Sequence, residues 1–172
     1  LTNANSLISA NEDKPIYNNV VQMARIWKAY VMLRLTNCIG DVPYSEAADD
    51  IDQPKYDTQK DIYYTIFDEL KDAVSKLDES AANNVGSYDL IYGGDAAKWK
   101  KFANSIRLRM AVRISDVDAA KAKTEAEAAI TAGVFAGEDD AAYMKQGEDK
   151  FSQNPIYYHK GSAVTHMSTD RK

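Results

Sequence analysis

Apolar residues recur at helical spacing over four stretches of the chain, and this recurrence sets the expected architecture. Between Pro15 and about Thr36, one row of Val20, Ala24, Trp27, Val31 and Leu35 runs beside a second row of Met23, Ile26, Tyr30 and Leu33. The spacing predicts a helix near residues 16–36, apolar over a wide arc and suited to more than one neighbour. Gly40 stops it, and Val42-Pro43 extends the chain. Tyr63, Phe67, Leu70, Val74 and Leu77, flanked by Ile62, Ile66 and Ala73, predict a second helix near 58–78, with Asp57 or Thr58 as N-cap. Asp95 caps a third near 95–114. There Trp99, Ala103, Ile106, Met110 and Ile114 share one face and Leu108 and Val112 another, so this helix is expected to be sandwiched. Ser115 or Asp116 caps a fourth, Ala-rich helix near 117–132 that ends at Gly133. Trp27, Phe67, Leu70, Trp99, Ile106 and Met110 occupy stripe centres and form the expected core.

The intervening segments carry turn chemistry. Residues 79–94 contain Asn83-Asn84, Gly86 and Gly93-Gly94, and an acidic loop holds Asp49, Asp50 and Asp52. Residues 134–172 read mostly as loop, with one short helix near 141–145. Strand should be minor. The expectation is a single all-α domain over residues 1–172, a helical-repeat stack with long loops, although the helix starts keep no fixed period.

Composition narrows the function classes. The 172 residues are 45% hydrophobic and 27% charged, which fits a globular domain able to bury a core. A net charge of -5 supplies no overall cationic field for nucleic acid, anionic lipid or another polyanion. The single Cys38 forms no internal disulfide, so packing must hold the fold. No run approaches the roughly 18 to 20 apolar residues of a spanning helix. The start, Leu1-Thr2-Asn3-Ala4-Asn5, has neither a signal-peptide pattern nor an initiator Met, and is expected to come from processing or excision.

Candidate chemistry is sparse. His159 and His166 stand seven apart in an expected loop, far in sequence from Cys38, and the acidic stretches match no calcium-loop pattern, so no metal or cofactor is expected. No Gly-x-Ser-x-Gly, phosphate-cradling loop or Cys/His pairing is present, which leaves an enzyme only its carboxylates. On the third helix, Lys98, Lys101, Arg109 and Arg113 project to one side and Lys100 and Arg107 to the other. Asp61, Asp68, Glu69 and Asp72 of the preceding helix are their expected ion-pair partners. Tyr is the unusual component, supplying 11 aromatics against 2 Trp and 4 Phe. Tyr44, Tyr56, Tyr88, Tyr92, Tyr143, Tyr157 and Tyr158 fall outside the expected helices. A Tyr ring can stack on the C–H face of a sugar while its hydroxyl bonds a ring hydroxyl. Such residues can equally tether long loops to helices. Tyr44, Tyr88 and Tyr92, each beside a turn signal at the mouth of a helix, are the candidate glycan-binding residues.

Several segments together resemble the SusD/RagB family of Bacteroidetes. Ala24-Arg25-Ile26-Trp27-Lys28-Ala29-Tyr30 followed by Gly40-Asp41-Val42-Pro43-Tyr44 is similar to its helix and "GDVPY" turn. Asp57-Thr58-Gln59-Lys60-Asp61-Ile62-Tyr63 and Asp68-Glu69-Leu70 resemble its next helix. Ile91-Tyr92-Gly93-Gly94-Asp95 with Trp99-Lys100-Lys101-Phe102-Ala103-Asn104-Ser105 resembles its "YGGD…W.KFANS" block, and Asn154-Pro155-Ile156-Tyr157 a downstream "NPIY" segment. The resemblance implies tetratricopeptide-like helical pairs under a loop-rich glycan-binding surface. It further implies a surface-exposed outer-membrane lipoprotein that binds oligosaccharide or another nutrient and delivers it, without catalysis, to a SusC-like TonB-dependent transporter. Family members are typically several hundred residues long, with a lipidated Cys near the start, a role that Cys38 cannot fill from its place deep in the chain. Their recognition residues lie largely outside the matched helices, so none is carried over. A tetratricopeptide-like protein-binding scaffold and an α-helical glycosidase are the alternatives.

Overall fold

The computed structural model describes residues 2–46 and 52–144. The chain divides into two compact units, Leu1–Ala142 and Tyr143–Lys172. Among the described residues of the first, the α-helices are α1 (Thr2–Asn11), α2 (Asn18–Ile39), α3 (Gln59–Lys76), α4 (Ala96–Arg113) and α5 (Ala119–Ala132). Single 3-10 turns form at Pro15–Tyr17, Gly86–Tyr88 and Glu138–Asp140. No β-strand occurs among the described residues, only one antiparallel bridge between Val42 and Asp57. Of the second unit only Tyr143 and Met144 are described, and both are non-helical, as are Ala141 and Ala142, so no short helix begins at Ala141. The Asn154–Tyr157 segment, His159, His166 and the loop acids Asp49 and Asp50 lie outside the described residues.

The helices form two pairs, α2 with α3 and α4 with α5, stacked through contacts of α4 with α3 and α2. This is the all-α, tetratricopeptide-like stack with long loops. Side-chain amides tie the first pair together. Asn18 donates to Lys76 O at 2.6 Å and Asn19 to Asp78 O at 2.7 Å, so the N-terminus of α2 meets the carbonyl end of α3 and the two run antiparallel. A short turn over residues 114–118 joins the second pair as a helical hairpin. Thr58 caps α3 by accepting from the Asp61 amide, and Asp95 caps α4 by accepting from that of Lys98. Asp118, rather than Ser115 or Asp116, caps α5, because the last turn of α4 continues through Ile114 and carries the start of the next helix with it.

The core runs from Ile26, Ala29, Met32 and Leu33 of α2 through Ile62, Ile66, Phe67 and Leu70 of α3 to Trp99, Phe102, Ile106 and Met110 of α4. Phe67, Leu70, Trp99, Ile106 and Met110 are buried as expected, but Trp27 is 41% exposed. The reason is rotational. Helix α2 turns its Met23, Ile26, Ala29 and Leu33 row inward, leaving Val20, Ala24 and Val31 half-buried on the flank and Trp27 and Leu35 exposed. Trp27 instead packs its ring 5.5 Å from that of Tyr30. Helix α4 is sandwiched only in part, since Val112 is exposed and Leu108 half-buried.

Helix α1 has no counterpart in the expected pattern. None of its residues is buried, so no apolar stripe announces it. It docks on α2, and its last carbonyls receive Asn11 Nδ2 at Leu7 O and Lys14 Nζ at Ala10 O.

The cations of α4 choose partners other than those expected. Lys100 pairs with Glu79 at 2.8 Å, Lys101 with Asp140 at 2.9 Å and Arg107 with Glu125 at 2.9 Å. On α3, Glu69 and Asp72 instead serve Arg25 of α2, and Asp68 pairs with Lys71 of its own helix. Helix α3 presents Glu69 and Asp72 toward α2, whereas α4 meets α5 and the loops at its own ends.

Candidate functional site

Two loops carry the three candidate tyrosines, and side-chain hydrogen bonds shape both. In the first, Gly40 at φ 83° ends α2, and Thr36 Oγ1 donates to its carbonyl at 2.6 Å. Asp41 accepts from the Gln59 amide at 2.8 Å, and Asp57 accepts from both the amide and the hydroxyl of Ser45. The Gly40–Tyr44 segment is thereby fastened across the mouth of α3. This turns Tyr44 inward to 7% exposure, where its hydroxyl donates to Glu69. Burial first, and the neighbouring Glu69 charge second, push the Tyr44 phenol well above its ordinary value. The expected surface position is therefore corrected for Tyr44. One side of it still borders a cleft of about 480 Å³, with Lys28 Nζ 5.6 Å from its ring centroid and Ser6, Ser9 and Ser45 nearby.

The second loop is organised by Asn83 and Asp89. Asn83 Oδ1 accepts from the amides of Val85 and Gly86, and its Nδ2 donates to Gly93 O at 2.7 Å. Asp89 Oδ1 accepts from the Ile91 and Tyr92 amides. Its Oδ2 accepts from the Gly94 amide at 2.9 Å and from Trp99 Nε1 at 2.7 Å. Tyr92, half-buried, donates its hydroxyl to Asp140 O at 2.8 Å and sets its ring edge-on to Trp99. Burial and the charges of Asp140 and Asp89 raise its phenol above the ordinary range. Tyr92 thus tethers the loop. Tyr88 stands between the two organising side chains, 91% exposed.

The residues after Trp99 complete the frame. Phe102 stacks on Phe135, Asn104 Nδ2 donates to Ala132 O and Gly133 O at the carbonyl end of α5, and Ser105 Oγ accepts from the Phe135 amide. Arg107, 4% exposed, joins Asn104 Oδ1 to Glu125. Burial pushes the Glu125 carboxyl up, but bonds from Arg107, Lys71 and Lys121 outweigh it and hold the pKa at about 2. These groups fix helices and present no reactive centre to solvent.

The arrangement therefore brings Tyr88 and Tyr92 onto one braced loop, with only Tyr88 facing outward, and keeps Tyr44 on a separate loop with its own partners. A surface aromatic that the pattern concealed is Trp27. Its place in an apolar row marked it as core, and the flanking Arg25 and Lys28 were the contrary signal. None of the helices among the described residues is long and apolar enough to cross a membrane.

Comparison with known proteins places this frame. A family model described as starch-binding associating with outer membrane, SusD-like, matches residues 1–170. A solved chitin-binding protein is 43% identical over 83% of this chain and 31% of its own, with a TM-score of 0.77. A SusD-like protein from Bacteroidetes AC2a is 39% identical over 92% of this chain and 29% of its own, with a TM-score of 0.79. A chitin-binding SusD homologue from Flavobacterium johnsoniae is 34% identical over 89% of this chain and 33% of its own, with a TM-score of 0.78. No curated protein sequence matches. The chain spans about a third of the length of these solved relatives. With the family model covering nearly every residue and the same helical frame shared at these identities, the chain belongs to the SusD-like family.

Proposed function

We propose that the chain is the helical portion of a non-catalytic carbohydrate-binding component of outer-membrane nutrient uptake, exposed at the cell surface and handing oligosaccharide to a SusC-like TonB-dependent transporter. The observation that carries this reading is the likeness to two solved chitin-binding proteins, at 43% and 34% identity over most of this chain. The family's description as starch-binding and associated with the outer membrane supports the carbohydrate class and the location.

The braced loop supports a binding role for Tyr88. The loop backbone is held by Asn83 and Asp89 on either side, so little backbone freedom is lost when a sugar stacks on a ring presented there. Tyr92 and Tyr44 contribute by holding the loops, and their hydroxyl protons are committed to Asp140 O and Glu69, which leaves the phenol oxygens only as acceptors for a ligand. The test is titration of the purified chain with chito- and malto-oligosaccharides, with reducing ends assayed in parallel. Saturable binding without release of reducing ends is expected. Failure to bind either series, or hydrolysis of one, overturns the reading.

A further inference from the structure

Most cations that reach a neighbouring element are matched by a carboxylate. Arg25, Lys71, Lys100, Lys101, Arg107 and Lys121 each have one within 4.0 Å. Three arginines depart from this rule and converge. Arg34 of α2 and Arg109 and Arg113 of α4 line one groove of about 260 Å³, and among the described residues none has a carboxylate partner. Arg113 also borders an adjoining cleft of about 440 Å³ on α3 and the α4–α5 turn, where Lys60 is a further cation with no carboxylate within 4.0 Å among the described residues. Asp118, the one acid lining that second cleft among the described residues, accepts from the Tyr64 hydroxyl and the Lys121 amide, which hold it ionised beside Lys60 and Lys121.

Gathering these charges costs stability. Arg109 and Arg113 are four residues apart on one helix, the spacing at which like charges repel. The dipole at the carbonyl end of α4 offsets this for Arg113, in the last turn. It fades before Arg109, and Arg34 lies a full turn inside the end of α2. The positive potential converges on Tyr63, whose hydroxyl donates to Asn37 at 2.5 Å. Burial raises that phenol, while Arg113 and Arg109 draw it back down.

Aromatic rings accompany the cations. Arg34 lies 6.0 Å from the Tyr30 ring centroid and donates to its hydroxyl at 3.3 Å, and Tyr63 and Tyr64 line the second cleft. Guanidinium groups match planar carboxylates in geometry, and rings match the C–H faces of sugars. The net charge of -5 does not oppose this pairing, because charges more than about 8 Å away are screened at physiological salt. Resting on the carbohydrate-binding reading above, we infer that the groove lined by Arg34, Arg109 and Arg113, with its Lys60 extension, is a subsite for a carboxylated oligosaccharide, a chain of uronic acids.

The test titrates the chain with tetragalacturonate, chitotetraose and hexaglutamate, and repeats the titrations with Arg109→Gln/Arg113→Gln. Both arginines are exposed, so the variant should fold, and its unfolding midpoint checks this. Tetragalacturonate should bind the wild-type chain, lose at least about tenfold in affinity in the variant and weaken as sodium chloride rises from about 50 to about 500 mM. Chitotetraose affinity should stay unchanged. Tetragalacturonate binding that is absent, or equal in the variant, overturns the subsite while chitotetraose binding leaves the wider reading standing. Hexaglutamate bound in place of tetragalacturonate also overturns it and makes the groove a site for an acidic protein segment.

Discussion

The indole of Trp99 donates to Asp89 Oδ2 at 2.7 Å, joining the first turns of α4 to the loop that precedes it. The same carboxylate accepts the amides of Ile91, Tyr92 and Gly94, so one side chain sets the path of the loop and the position of the helix entry. Asp89→Ala strands these donors and should lower unfolding free energy by about 2 to 3 kcal/mol. Trp99→Phe keeps an aromatic ring but loses the indole's bond to a charged group, which by itself should cost about 1.5 kcal/mol, and the smaller ring adds a packing loss. Urea denaturation of both variants checks the order, and equal losses would show that ring packing, not the bond, dominates.

Glycine at position 94 is required twice over. Its φ is 81°, and a Cβ there would lie 2.1 Å from Asn83 Oδ1, the atom that organises the loop. Gly40 has a similar φ of 83° but nothing within 4 Å of a Cβ. Gly40→Ala should therefore cost about 1 kcal/mol from backbone strain alone. Gly94→Ala should cost about 2 to 3 kcal/mol, because strain and displacement of Asn83 add. Denaturation midpoints measured under one condition check this difference.

Glu125 is 2% exposed and holds Arg107, Lys71 and Lys121. Its folded pKa of about 2 lies below the ordinary 4.5, so between these values the unfolded chain binds more protons. Its contribution is complete above about pH 4.5 and disappears as pH falls towards 2. Glu125→Gln leaves the Arg107 charge buried without compensation and should cost about 3 to 5 kcal/mol at neutral pH. The deficit should shrink on acidification, read from unfolding free energies of both chains between pH 2 and 7.

Tyr88 and Tyr44 should separate binding from stability. Tyr88→Ala removes a ring that is 91% exposed, so unfolding free energy should change by less than about 0.5 kcal/mol. Oligosaccharide affinity should fall by about 5- to 30-fold, the equivalent of about 1 to 2 kcal/mol. Tyr44→Phe removes the donor to Glu69 and should lower stability by about 1 to 2 kcal/mol with little change in affinity. Calorimetric titration beside thermal melts reads both quantities. Equal losses of binding and stability in Tyr88→Ala would make that ring structural.

Helix positions were legible along the chain because periodicity and caps are local. The stripe of Ile62, Ile66, Phe67, Leu70 and Ala73, opened by Thr58, specified α3 to within a few residues, and Asp95 and Gly133 marked one end each of α4 and α5. The loop motifs were legible as motifs, while their work in bonding Asn83 and Asn104 to backbone ten to thirty residues away, and Asp89 to the Trp99 indole, was not. Tertiary packing decided which apolar row of α2 turned inward, sending Trp27 to the surface and Ile26 to the core, since both rows satisfy the same 3.6-residue period. Packing alone also gave α1 its place, buried Tyr44 against Glu69, assigned Arg107 to Glu125, and left Arg34, Arg109 and Arg113 together with no acid opposite them among the described residues. A side chain's spacing along its own helix is written in the sequence, but its burial and its ion-pair partner depend on which surface of another element arrives opposite it.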